Sequence, residues 1–194
     1  KPHVFNPAEG YFATANNDLV PRDYEFMDAV GYSWSDPYRW LRLVEVLGSG
    51  RRFSMADMMR LQTDELSIPA RQLVPMLEEI AVPDNRTLRA KNLLLEWDFV
   101  MDKNSEAAGL YAAWEAEIRR AVRAAAVPEG AGINLSLRKT IERVMVPPGE
   151  FGVDPMAARD QLLMDALEAA MAVLTAKLGP DQGGWVWGQE EYHH

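Results

Sequence analysis

The chain has 194 residues, 48% of them hydrophobic and 25% charged, with 29 acidic against 20 basic side chains and a formal charge of −9. That balance describes a globular chain with enough length for a sizeable core, and it disfavours a phosphate backbone as partner. The absence of Cys excludes disulfides, a thiol nucleophile and Cys-based zinc sites, and no apolar run approaches the roughly 18 to 20 residues that span a bilayer.

In chain order, Val4 to Gly10 is turn chemistry, and Tyr11-Phe12-Ala13-Thr14-Ala15 predicts a short strand that halts at the polar Asn16-Asn17-Asp18. From Ser35-Asp36-Pro37 the pattern turns helical. A capping residue and an early proline precede Tyr38 to Leu47, and Gly48-Ser49-Gly50 predicts the stop. Ser54 and Asp57 form a capping box ahead of Met58, Leu61 and Leu66, after which Pro69 and Pro75 break or restart short helices. Pro83-Asp84-Asn85 predicts a turn, and Thr87 to about Trp97 a helix carrying Leu88, Leu93 and Leu94. Ser105 caps a longer helix in which Leu110, Trp114 and Ile118 recur every four residues, with acids early and Arg119, Arg120 and Arg123 late. The last long helix opens at Asp154-Pro155, carries Leu163, Leu167, Ala170, Met171 and Leu174, and stops near Gly179-Pro180. Gly183 to Gly188 predicts a turn and a strand. The class expected is mainly α with a few short strands at the ends, in one segment over 1–194: a strand and active-site loop in 1–30, helices over 35–178, and a strand in 183–194. Two short terminal strands do not make a self-sufficient sheet, so their partners are expected in another chain or in further sequence.

The common catalytic signatures are absent: there is no HExxH, P-loop, GxGxxG or GxSxG. His3, His193 and His194 sit at the ends of the chain, and the adjacent pair reads as a chain-end remnant as readily as a site. Gly48-Ser49-Gly50-Arg51-Arg52 has the makings of an anion cradle, with a solvated helix-ending turn as the simpler reading. Asn134-Leu135-Ser136 and Asn85-Arg86-Thr87 fit the glycosylation acceptor pattern, which arises often by chance. Two features carry more. A side-chain amide at Asn16 or Asn17, held at a strand end, is placed to donate to a developing oxyanion, although such residues also make ordinary turns. Arg39, between Tyr38 and Trp40, has a guanidinium fork suited to fixing a carboxylate or a carbonyl.

Gly10-Tyr11-Phe12-Ala13-Thr14-Ala15-Asn16-Asn17, then Pro21 and Tyr24, then Arg39 and Arg42, resembles the β subunit of the penicillin acylase family of N-terminal-nucleophile amidohydrolases. The similarity continues through Ser54, Asp57-Met58, Leu61-Gln62, Asp64, Ser67, Ala70, Pro75, Trp97-Asp98, Ser105, Tyr111, Trp114 and Trp185-Val186-Trp187-Gly188, almost the whole chain. The resemblance implies a helix-rich piece of an α+β (αββα) fold that cleaves N-acyl amides, such as penicillins or acyl-homoserine lactones, through an acyl-enzyme. It matches Asn16 with the asparagine that completes the oxyanion hole and Arg39 with the arginine that orients the machinery. The register admits Asn17 by one position, and Asn16 is preferred because it directly follows the predicted strand. Asp28 matches an acidic ligand of a structural calcium site whose other ligands are not placed in this chain. No cofactor is required for the chemistry.

The family's nucleophile is the first residue of the β subunit, usually Ser, whose α-amino group serves as base. Lys1 has no hydroxyl or thiol to attack an amide, so the chain reads as an internal piece of that subunit, inactive alone, whose expected partners are the rest of the β subunit, the α subunit and a small acyl-amide substrate. Periplasmic or secreted location follows from the resemblance alone. The competing reading is an acidic, helical, non-catalytic interaction module.

Overall fold

The computed structural model describes residues 3–21, 23–31, 33–82 and 84–190, with the backbone alone described at Asp28 and Glu150. Among them are seven α-helices: α1 (Tyr38–Leu47), α2 (Met55–Gln62), α3 (Ile68–Leu73), α4 (Asn85–Leu95), α5 (Glu106–Ala126), α6 (Leu137–Met145) and α7 (Pro155–Leu178). The chain divides into two compact units, residues 1–64 and 65–194.

In the second unit, capping serines and aspartates start the helices, at Ser105 and Asp154 as the sequence predicts. Ser67, Ser105 and Ser136 each accept from the backbone N–H three residues on, Asp84 accepts from Arg86 and Thr87, and Asp154 from Ala157. The central contact is α5 against α7. Leu110, Trp114, Ile118 and Val122 of α5 and Leu163, Leu167, Ala170 and Leu174 of α7 are all buried, and the indole of Trp114 donates to the Leu163 carbonyl at 2.9 Å. Helix α6 was not expected from the sequence. Ser136 caps it, and Leu137, Ile141 and Val144 provide an i, i+4, i+7 apolar stripe of which Ile141 and Val144 are buried.

Neither terminal segment forms a strand, so the strands predicted at Tyr11–Ala15 and in 183–194 are corrected within the described residues, which leave out 191–194. Among the described residues, one bridge pairing joins Leu66 and Val100. At the end of 11–15, the Ala15 N–H donates to Asn17 Oδ1 and not to a neighbouring strand. At the other end, Gln182–Gly184 makes a 3-10 turn and Trp185 becomes a core plug, fully buried, with its indole N–H on the Gly179 carbonyl at 3.0 Å. Trp187 and Gly188 then donate to the Ser105 and Lys103 carbonyls at 3.1 and 2.7 Å. Those two bonds tie the segment to the start of α5. The approach is close because position 109 is glycine: a Cβ there would lie 1.9 Å from the Trp185 carbonyl oxygen.

The first unit is built differently. Among its described residues only Leu61 and Asn17 are buried, and α1 contributes none. Polar contacts hold it. Ser54 caps α2 in a reciprocal box with Asp57, and Arg42 of α1 grips Asp64 with two parallel bonds of 2.9 and 2.7 Å while reaching Glu45 at 3.0 Å. The Asp64 bond is the main cause of a raised Arg42 pKa. Bonds from Ser54 hold the Asp57 carboxyl well below its ordinary range.

Candidate active site

The site lies wholly in the first unit and consists of the turn after Ala15 and the first turn of α1. Helix α1 begins at Tyr38 behind Pro37, with no side-chain cap. Pro37 itself stands at the cap position of the Ser35-Asp36-Pro37 start, and the Ser35 N–H donates to the Asn16 carbonyl at 3.0 Å. Arg39, the second helical residue, reaches back to the turn. Its Nη2 donates to Asn16 Oδ1 at 2.8 Å and to the Ala15 carbonyl at 3.1 Å. The two residues singled out from the sequence are thus in direct contact, 23 positions apart along the chain.

Two consequences follow from elementary chemistry. A guanidinium has only donors, so the atom of Asn16 that faces Arg39 is the carbonyl oxygen. The amide Nδ2 is left without an acceptor among the described residues, on a side chain that is exposed. Asn16 also has φ = +61°, in the left-handed region that asparagine tolerates better than most residues with a side chain. Its side chain is therefore turned out of the chain's extended course and toward Arg39.

Asn17 is used in another way. It is 5% exposed, its Oδ1 accepts from the Ala15 N–H at 3.0 Å, and its Nδ2 donates to the Asp18 carbonyl at 3.0 Å. Both ends of that amide are occupied by backbone. The two asparagines that the sequence leaves one register apart are thus distinct in the structure: one amide bonds backbone at both ends, the other is buttressed at its oxygen and open at its nitrogen.

Asp28 falls in the 3-10 turn Met27–Ala29, with its side chain outside the described residues, as are His193 and His194. Among the described residues no three His, Asp or Glu side chains gather to hold a metal ion. At Gly48 to Arg52, the Gly48 N–H closes α1 onto the Val44 carbonyl, while Arg51 lies 4.7 Å over the Phe53 ring and 3.7 Å from Asp57. Arg51 is thereby committed to its own neighbours. What the sequence did not reveal is the buttressing itself. Loop and helix meet through a turn whose path depends on a left-handed residue and on the Asn17 bonds, neither of which has a periodic signature. The Asn-Asn pair was the available signal.

Comparison with known proteins assigns the chain to a family. All of residues 1–194 match the family model described as penicillin amidase. The penicillin acylase 2 proenzyme of Pseudomonas sp. (strain SE83) is 29% identical over 206 residues, covering 97% of this chain and 25% of that protein. The acyl-homoserine lactone acylase QuiP of Pseudomonas fluorescens (strain Pf0-1) is 34% identical over 77 residues, 40% of this chain and 9% of that protein. The chain thus spans 25% of the length of the first of these relatives. With its full length matched, the chain belongs to the penicillin amidase family.

Proposed function

We propose that this chain supplies the oxyanion-stabilising element of an N-acyl amide hydrolase whose nucleophile lies outside it. The observation that carries the reading is the Arg39–Asn16 hydrogen bond, which occupies Oδ1 and leaves Nδ2 as an oriented, unused donor. In the assembled enzyme, the hydroxyl of the N-terminal nucleophile adds to the amide carbonyl of the substrate as its proton passes to the nucleophile's own α-amino group, which later returns it to the leaving amine. Asn16 Nδ2 donates to the oxygen as it becomes an oxyanion. Collapse of the tetrahedral intermediate expels the amine and leaves an acyl-enzyme ester, which water hydrolyses to the acid. Asn16 is the catalytic residue of this chain in that scheme, and Arg39 is a positioning residue that prevents the amide from rotating or flipping. Rigid placement matters because a donor that needs no reorganisation at the moment of reaction stabilises charge most effectively.

The relatives act on penicillins and on acyl-homoserine lactones by name, and the substrate class proposed here is what the two share, an acyl group joined to an amine through an amide. The rest of the β subunit and the α subunit complete the site and provide the strands of the αββα core, and the assembled enzyme works in the periplasm or outside the cell. Among the described residues no helix is long and apolar enough to cross a membrane.

Asn16→Asp in the complete enzyme is the appropriate test. Aspartate keeps an oxygen for Arg39 and tolerates the left-handed backbone, and it replaces the donor with a carboxylate oxygen. The expected result is a fall in kcat of about 100- to 1,000-fold, the usual consequence of losing one oxyanion donor, with little change in KM. An unchanged kcat contradicts the assignment.

A further inference from the structure

We propose that Asn17 is a positioning residue for the reaction, a staple that holds Asn16 in its left-handed conformation and thereby aims Nδ2. This inference rests on the reading of Asn16 as the oxyanion donor and adds a second residue, with a different job, to that site.

The argument begins with what is buried. In residues 1–64 the described core is almost nil, yet an amide side chain is 95% removed from solvent there. Burying an amide costs several kcal/mol unless it is hydrogen-bonded. Asn17 is satisfied, and its partners are specific: the Ala15 N–H on one side of Asn16 and the Asp18 carbonyl on the other. The side chain of Asn17 therefore binds backbone groups on both sides of residue 16. The Ala15 bond closes across residue 16 itself, in the turn where φ = +61°, and the Asp18 bond anchors the Asn17 side chain that makes it. Two further bonds act on residue 16 from outside the turn, the Ser35 N–H on its carbonyl and Arg39 on its Oδ1. Arg39 fixes the rotation of the amide, whereas Asn17 fixes the direction in which the side chain leaves the backbone. If Asn16 relaxed to an ordinary extended conformation, its side chain would point to another side of the chain and lose the Arg39 bond. A left-handed non-glycine residue persists only when its surroundings over-determine it, and the Asn17 bond does so here together with those from Ser35 and Arg39.

The experiment is a double-mutant cycle in the complete processed enzyme, with kcat expressed per site titrated by a sulfonyl fluoride so that misfolded molecules are not counted. Asn17→Ala is expected to lower kcat per titrated site about tenfold with KM within about twofold, since misplacing a reacting group by an ångström or less costs rate rather than binding. Asn17→Asp keeps the acceptor for Ala15 and should recover part of that loss. In an Asn16→Gly background, where no amide remains to be aimed, Asn17→Ala should have no further effect on kcat. Where Asn17→Ala leaves too few titratable sites, Asn17→Asp is carried through the same cycle with a smaller expected loss that again vanishes beside Asn16→Gly. A loss of equal size in both backgrounds, or no loss per titrated site in either variant, overturns the role of Asn17. If Asn16→Gly itself leaves kcat unchanged, the oxyanion reading of Asn16 fails first, and this separates the two failures.

Discussion

The two units of this chain are held by different physics. Residues 65–194 bury three aromatic side chains below 3% exposure, Tyr111, Trp114 and Trp185, together with the leucine faces of α5 and α7. Residues 1–64 bury one leucine and one asparagine among those described, and leave Phe5 85% and Met55 80% exposed. In the larger unit, hydrogen bonds such as Trp114 to Leu163 trim an apolar core. In the smaller one, the capping box, the Arg42–Asp64 pair and the Asn16–Arg39–Asn17 set define the local structure. The site falls in the unit with less core, as expected where placement of a polar group matters more than burial. The lesson is that substitutions should separate by unit: stability is lost from the core of 65–194, and turnover from the turn at 15–18.

The largest effect that tests this separation is Trp185→Ala. Removing a fully buried indole should cost about 3 to 5 kcal/mol, read as faster amide exchange along α5 and α7 and a lower denaturant midpoint. Retained protection in both helices would show that the closing segment is peripheral. Gly109→Ala comes next. Its methyl would collide with the Trp185 backbone, so a residue that normally favours helix should here destabilise by about 1 to 3 kcal/mol. A neutral or stabilising result would mean that the approach at 109 is looser than described. Smaller again is Arg42→Ala, which removes a bidentate pair with Asp64 at partly exposed positions and should cost about 1 kcal/mol. Its signature is a salt-dependent difference from wild type that shrinks as ionic strength rises.

The smallest effect concerns pH. Bonds from Ser54 lower the Asp57 pKa below its ordinary 3.8, so the unfolded chain binds this proton at higher pH than the folded one. The contribution is complete above 3.8 and is lost as pH falls through that value toward the depressed folded pKa. Protection at the start of α2, taken relative to intrinsic exchange at each pH, should therefore fall on acidification below about pH 4, and Asp57→Asn should flatten that dependence. An identical acid profile in wild type and variant would remove Asp57 from the account.

Much of the helical layout was legible because helix ends are written locally. Ser54 with Asp57, Ser105 with a four-residue apolar repeat, and Asp154-Pro155 each announced a helix that forms where expected. Helix α6 carries the same kinds of signal, in Ser136, Ile141 and Val144, but over only nine residues, which leaves its apolar stripe short. The strands failed for a physical reason. An aromatic or apolar run specifies a surface to be covered and not the partner that covers it, and here Asn17 satisfies Ala15 while Trp185 fills the core. In the candidate site, Asn16 and Arg39 stand out in the sequence through the family resemblance, and the structure brings them into contact. Their hydrogen bond, and the separate uses of Asn16 and Asn17, are not legible in the sequence, since both depend on a left-handed turn and contacts made across 23 positions.

The central claim is that Asn16 Nδ2 meets the oxyanion, and its most direct test is a structure of the complete enzyme carrying a tetrahedral adduct, such as a boronate, on its nucleophile. The account predicts Nδ2 about 2.7 to 3.1 Å from the adduct oxygen, with Arg39 still on Oδ1 and Asn17 still on Ala15 and Asp18. An adduct oxygen bound by other donors, with Asn16 turned away from it, would contradict the claim.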